Sequence, residues 1–312
     1  MISGSVLALL VGSTAPLGNA FAQDTTGRDL PPAISVTNGI EAAPRGPLPS
    51  LPSASCPLTS NQLKAVRAGV GGAFIGGNAY LYHYFKKAWW SGERSDGFFF
   101  NADWDMEFRD QDKFGHMLGG YHLTRIGYAG LRASCVSKRK ALVASAAYAA
   151  LFQIQIEIFD ARFEKYGFSY PDLLANTAGQ VFAVAQQLNP RLKAFKPTFS
   201  YRETRALKNR VAASELRPST DYSGQTYWVS TDVDMLLPDA AKPYWPAFIR
   251  LSAGHSITDW ITETGTTQRG RRKIVLSLDL DPEKLPGDAP LWKSIKHTLS
   301  YYRFPAPALE LT

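Results

Sequence analysis

The chain has few of the residues that usually announce a chemistry. Only two cysteines, Cys56 and Cys135, occur in 312 residues. That excludes a cysteine-based zinc cluster and a disulfide-dense scaffold. There is no Gly-x-Ser-x-Gly elbow for a serine nucleophile, no phosphate-binding glycine loop and no Glu-x-x-His pair. No internal repeat is visible. The longest apolar run, over 141–156, is shorter than the roughly 20 residues that a membrane-crossing helix needs. A buried core helix is therefore expected there.

The bulk numbers describe a globular chain. It is 45% hydrophobic and 12% aromatic, enough for a sizeable core. The formal charge of +7 suits an anionic surface such as lipid headgroups or an envelope glycan. No nucleic-acid motif accompanies it. The densest basic run, Arg269, Arg271, Arg272 and Lys273, contains Gly270 and reads as a solvated hairpin turn.

Four regions follow from composition and periodicity. Residues 1–22 read as a signal peptide. "VLALLVGSTAPLGNAFAQ" has a short apolar stretch and then an Ala20-Phe21-Ala22 cleavage pattern, without a basic start. No cysteine follows that stretch at a lipidation position. Residues 23–60 are a proline-rich linker. Residues 61–215 are expected to form a helical domain, opened by a helix capped by Ser60. Its stripe of Gly69, Gly72 and Gly76 would admit a second helix closely. Residues 216–312 switch to a period of two in "TYWVSTDVDMLL", "AFIRLSAGHSITDW" and "RKIVLSLDLD". Three or four antiparallel strands are expected, covered on one side, with Ile274, Leu276, Leu278 and Leu280 sharing a face. The fold class is α+β, an N-terminal helical bundle with a small C-terminal antiparallel sheet. In an exported chain a Cys56–Cys135 disulfide is permitted, and two buried free thiols are the alternative.

Polar residues recur at helical spacing. Asp112 and His116 are four apart, beside Gly119 and Gly120, with Lys113 between them. Glu157 and Asp160 are three apart, with Glu164 a turn further. Asp172, Asn176 and Gly179 follow at four and three, after a Ser169 cap and Pro171. A bundle in which these faces converge would gather Asp112, Lys113, His116, Glu157, Asp160, Asp172 and Asn176. Three roles compete. One is a buried salt-bridge network that sets helix register. Another is a divalent-metal site using His116 with Glu157, Asp160 or Asp112. The third is an acid–base or anion site with His116, Glu157 and Asp160 as the catalytic candidates. Asp103, Asp105 and Glu107 alternate like the start of a calcium loop but lack its central glycine. His122 and His255 read as ordinary surface or core histidines.

"DKFGH" followed by "IEIFDARFEKYGFSYPDLLANTAGQ" resembles the YfiM-like predicted periplasmic proteins, the domain-of-unknown-function family 2279. The recurring pattern is an Asp-Lys pair, a histidine three residues on, a glutamate and aspartate, then Gly-Phe-Ser leading to Asp-x-x-x-Asn. A more distant similarity, in Asp-Lys-x-x-His and Asp-x-x-x-Asn, extends to VanZ-like membrane proteins. Arg162 departs from the long members, which carry a small residue there. The resemblance implies an envelope location, periplasmic or at the outer membrane, and a helical core; it implies no reaction. The leading expectation is a non-enzymatic structural or binding protein that needs no cofactor. The alternative is a hydrolase or metal-dependent enzyme acting on an envelope lipid or glycan.

Overall fold

The computed structural model describes residues 56–211, 216–304 and 306–311. The expected signal peptide, 1–22, and all but the last five residues of the linker lie outside that set. The described chain is α+β: a helical N-terminal part and a five-stranded antiparallel sheet.

Helix α1 runs Ser60–Ala88. Its cap is Thr59, one residue before the expected Ser60. The Thr59 hydroxyl accepts from Gln62 N, and the Gln62 side chain accepts from Thr59 N. Helix α2 runs Gln111–Ala133 and α3 runs Lys138–Asp160. The turn between them passes through Cys135, whose φ of 60° is the left-handed conformation that closes a helix. Cys135 is joined to Cys56 by a disulfide across a Cα separation of 5.6 Å, which ties the start of the described chain to the end of α2.

Helix α4 runs Tyr170–Leu188, with Ser169 as its cap and Pro171 in its first turn. A two-residue parallel ladder precedes it. Strand β1, Phe100–Asn101, pairs with β2, Phe168–Ser169. That ladder pins the aromatic loop to the root of α4.

α2 and α4 cross closely because two glycines allow it. A Cβ on Gly179 would lie 1.9 Å from the Met117 carbonyl oxygen, and one on Gly120 would lie 2.3 Å from that of Asn176. No side chain fits at either place. The α1 glycines behave differently. A Cβ on Gly69, Gly72 or Gly76 would meet nothing within 4 Å. The close helix expected on that stripe is absent among the described residues.

The strands are β3 Phe195–Tyr201, β4 Gln225–Asp232, β5 Ile249–Ile257, β6 Arg272–Leu280 and β7 Ala308–Leu311, ordered as numbered. Short helices α5 (Arg205–Lys208) and α6 (Val233–Leu236) connect them, and α7 (Pro290–Leu299) precedes the last. β3 lies in the stretch expected to be helical; Pro197 sits in it, and its alternation is too short to stand out. β7 was also unforeseen.

The sheet reverses the expected covered side. Ile274, Leu276, Leu278 and Leu280 share a face, but all four are exposed. The covered face is the polar one. There Arg250 and Asp279 are register partners, 2.7 Å apart, both shut off from solvent. Ser230 donates to Asp279 at 2.9 Å, and Thr198 and Ser252 join the row at 2.8 and 2.9 Å. The segment after α7 lies over it. Ser300 O accepts from Arg250, and the Arg303 guanidinium stacks 3.8 Å from the Trp228 ring centroid. At one end the other face does meet α2: Phe114 stacks on His255, and Gln111 bonds both His255 and the Gln225 carbonyl. Strand periodicity marks which residues share a face. It cannot say which face a buried charge network will claim.

α3 is likewise not the buried core helix expected. It is the one helix among the described residues long and apolar enough to cross a membrane, and only 22% of its apolar window is buried. Its inward row, Ala141, Ser145, Ala149, Gln153 and Glu157, recurs every four residues and turns polar toward its end. Val143 and Leu151 face outward.

Candidate functional site

Each helix brings its polar row to one place. Lys113, in the first turn of α2, reaches three carboxylates: Asp112 at 2.8 Å, Asp103 at 2.7 Å and Asp172 at 2.9 Å. Asp103 was not among the expected members. The β1–β2 ladder delivers it, and Ser169 donates to its second oxygen at 2.6 Å. Ser169 thus has three tasks. Its hydroxyl oxygen accepts from Asp172 N as the α4 cap, its hydroxyl donates to Asp103, and its amide donates to Glu157 Oε2 at 3.1 Å.

His116, one turn into α2, is 27% exposed, more open than Lys113, Asp112, Asp172 or Glu157. Its Nε2 lies 3.5 Å from Asp172 Oδ2, and its Nδ1 lies 3.3 Å from Asn176 Oδ1 and 4.0 Å from Glu157 Oε1. Gln153 also donates to Asn176, and Gln180 to Gln153, so a polar chain continues inward along α3 and α4. Asp160 stands at the edge of the cluster, where Trp90 Nε1 donates to it at 2.6 Å.

Six of the seven expected residues therefore meet in two linked groups, while Asp160 stays at the edge on Trp90. Lys113 collects Asp103, Asp112 and Asp172; His116 faces Glu157, Asp172 and Asn176. Three participants escaped sequence reasoning. Asp103 was visible only as an alternating acidic residue, Trp90 only as an aromatic, and Gln153 only by its position four before Glu157. Glu164 and Arg162 are exposed and take no part, so Arg162 does not narrow the site. Asp105 belongs elsewhere. It pairs with Arg109, Arg269 and Arg272, and Asp110 also takes Arg272. The basic run is thus an anchor for the aromatic loop and not the hairpin turn expected: the turn lies earlier, at 263–265, and Arg272 and Lys273 open β6. His122 and His255 are buried, and burial pushes both below the ordinary histidine range.

The group is short of positive charge. Asp103, Asp112, Glu157, Asp160 and Asp172 face one lysine and one histidine. Burial pushes Glu157 up to about 8, with Asp172 and Asp160 adding repulsion that His116 only partly offsets. Burial pushes Asp112 up to about 6, with the Asp172 charge adding to it and Lys113 opposing. Burial likewise lifts Asp160 to about 6, against the Trp90 hydrogen bond. Asp103 goes the other way. Burial would raise it, but hydrogen bonds from Lys113 and Ser169 hold it below its ordinary value. Burial disfavours charge on His116, yet Asp172, Glu157 and Asp112 together raise it. Lys113 is raised for the same reason, the Asp112 and Asp172 charges overcoming burial. The arrangement can hold protons or take up a cation.

Above the cluster lies an aromatic rim. Phe100 stacks on Tyr170 with centroids 5.2 Å apart, Phe98 and Phe168 close the group, and Phe98, Phe100, Trp104 and Tyr170 are exposed.

Residues 96–187 match the model of the family described as "Predicted periplasmic lipoprotein (DUF2279)". The matched segment holds every acidic and basic member of the cluster. No curated protein and no solved structure matches the chain.

Proposed function

We propose that this chain is a non-enzymatic protein of the bacterial cell envelope that docks on a phospholipid surface, with the polar cluster holding its helices in register. One observation carries the reading: α3 and α4 turn polar residues inward and large apolar ones outward. On α3 Gln153 and Glu157 are buried while Val143 and Leu151 are 64% and 68% exposed. On α4 Asp172, Asn176 and Gln180 are buried while Leu174, Val181 and Leu188 are 60–68% exposed. In water such an exterior leaves apolar surface hydrated, at about 25 cal/mol per Å². Against acyl chains that term changes sign.

Charge and aromatics support the same surface. Lys138, Arg139 and Lys140 are exposed at the start of α3, where anionic headgroups would meet them. Exposed phenylalanine, tryptophan and tyrosine on the rim suit the headgroup boundary. The matched family's description as periplasmic, and the resemblance to YfiM-like and VanZ-like proteins, agree with an envelope location.

Flotation with vesicles tests it. The purified chain should rise in a gradient with phosphatidylglycerol-containing vesicles and rise less with pure phosphatidylcholine. Leu151→Lys combined with Val181→Lys should abolish flotation while leaving the circular dichroism spectrum unchanged. A wild-type chain that stays soluble, monomeric and at the bottom with both vesicle types sinks the proposal.

A further inference from the structure

We propose that His116, Glu157 and Asp172 bind a divalent first-row transition-metal ion. Each offers one ligand atom, and the three atoms lie within 4.8 Å of one another. The donors are one imidazole and two carboxylates, a set that suits zinc, manganese or ferrous iron. In a tetrahedral site with bonds near 2.1 Å, ligand atoms stand about 3.4 Å apart. The 3.5 Å gap to Asp172 is from Nε2 and the 4.0 Å gap to Glu157 is from Nδ1, so an ion held by one ring nitrogen needs the other carboxylate, within 4.8 Å, to swing toward it.

Glu157 supplies the observation that points to a ligand. The residue is 1% exposed, and its Oε2 is satisfied by the Ser169 amide. Its Oε1 has no hydrogen-bond partner, although it is buried and faces the His116 ring. A buried carboxylate oxygen without a partner is costly. A metal ion between Glu157 and His116 would satisfy it.

Lys113 does not block the site. It is turned toward Asp103, Asp112 and the Oδ1 of Asp172, which leaves Asp172 Oδ2 facing His116. Lys113 thereby orients one ligand instead of occupying its place. Asn176 Oδ1, 3.3 Å from His116 Nδ1, is placed to orient the ring or to serve as a fourth donor. With His116 binding as the neutral imidazole, the carboxyl groups face the Lys113 ammonium alone, which leaves room for a dication. The site does not depend on lipid docking.

The test uses the full chain stripped with a chelator and titrated calorimetrically with zinc or manganese, with magnesium as control. The expected result is one ion per chain, a higher melting temperature and no comparable magnesium binding. His116→Ala and Glu157→Gln should each weaken binding by more than ~10-fold. Glu164→Gln, an exposed residue outside the cluster, should leave it unchanged. The cobalt-loaded wild-type chain should show a visible spectrum with imidazole coordination, which is decisive even if a variant fails to fold. Absence of a stoichiometric ion in the wild type, binding that survives both ligand variants, or a cobalt spectrum without nitrogen coordination each overturns the assignment.

Discussion

Lys113 Nζ and Asp172 Oδ1 lie 2.9 Å apart, and this contact joins the first turn of α2 to the first turn of α4. The same ammonium holds Asp103 on the aromatic loop. Three segments distant in sequence thus share one buried charge. Removing one partner of such a set leaves uncompensated charge behind, which is more damaging than the set is stabilising.

Lys113→Met should therefore destabilise the fold by about 3–5 kcal/mol, read from urea unfolding. Triple replacement of Lys113, Asp103 and Asp172 by apolar residues of similar size should recover part of the loss. A single-variant loss below about 1 kcal/mol would show that water reaches the cluster and screens it.

Stability should fall as pH rises through the neutral range. Glu157 holds its proton to about 8 in the folded state against an ordinary 4.5. Between those values the unfolded chain has lost a proton that the folded chain keeps, so each upward step in pH favours unfolding. Asp112 and Asp160, raised to about 6, add to the lower part of that window. Asp103 acts oppositely, since its depressed value contributes stability that is lost in acid. Thermal melts in chelator should show the decline from about pH 6.5 to 8, above the range in which the depressed His122 and His255 oppose it, and Glu157→Gln should remove ~2 kcal/mol of it. A flat wild-type profile would contradict a buried Glu157.

Two glycine substitutions should have opposite signs. Gly179→Ala would drive a methyl group into the Met117 carbonyl, 1.9 Å away, and should force α2 and α4 apart. A loss of several kcal/mol, about 2–5, is expected from such overpacking. Gly72→Ala, on the open stripe of α1, meets nothing and should stabilise by about 0.5–1 kcal/mol through helix propensity alone. Denaturant midpoints of the two variants decide the matter; a destabilising Gly72→Ala would mean that something packs on that stripe.

Arg250 should behave as a buried pair member. Arg250→Met alone leaves Asp279 charged and sealed off, and should lose about 3–5 kcal/mol. Adding Asp279→Leu should restore most of that loss. A double variant no better than the single one would show that Ser230 and Ser300, which also bond this pair, hold its value.

Much of the helical part was legible because its signals are local. The Ser169 cap, Pro171 and the stop at Asn189-Pro190 locate α4 within a residue. Helical spacing alone put Asp112 beside His116, Glu157 near Asp160 and Asp172 in line with Asn176. Asp103 was missed because its membership depends on two hydrogen-bonded residue pairs, Phe100 with Phe168 and Asn101 with Ser169, which no local pattern announces. Trp90 was missed because it meets Asp160 across 70 residues.

The amino-acid order by itself determined which residues share a face, where α4 begins and ends, and that the chain combines helices with an antiparallel sheet. Only the tertiary structure decided which face turns inward. Periodicity is symmetric in that respect: Leu276 and Asp279 mark opposite sides of β6 equally well, whichever side is covered. Here buried charges found partners, Asp279 in Arg250 and Asp172 in Lys113, and those long-range pairs drew the polar faces in and left the apolar ones outside.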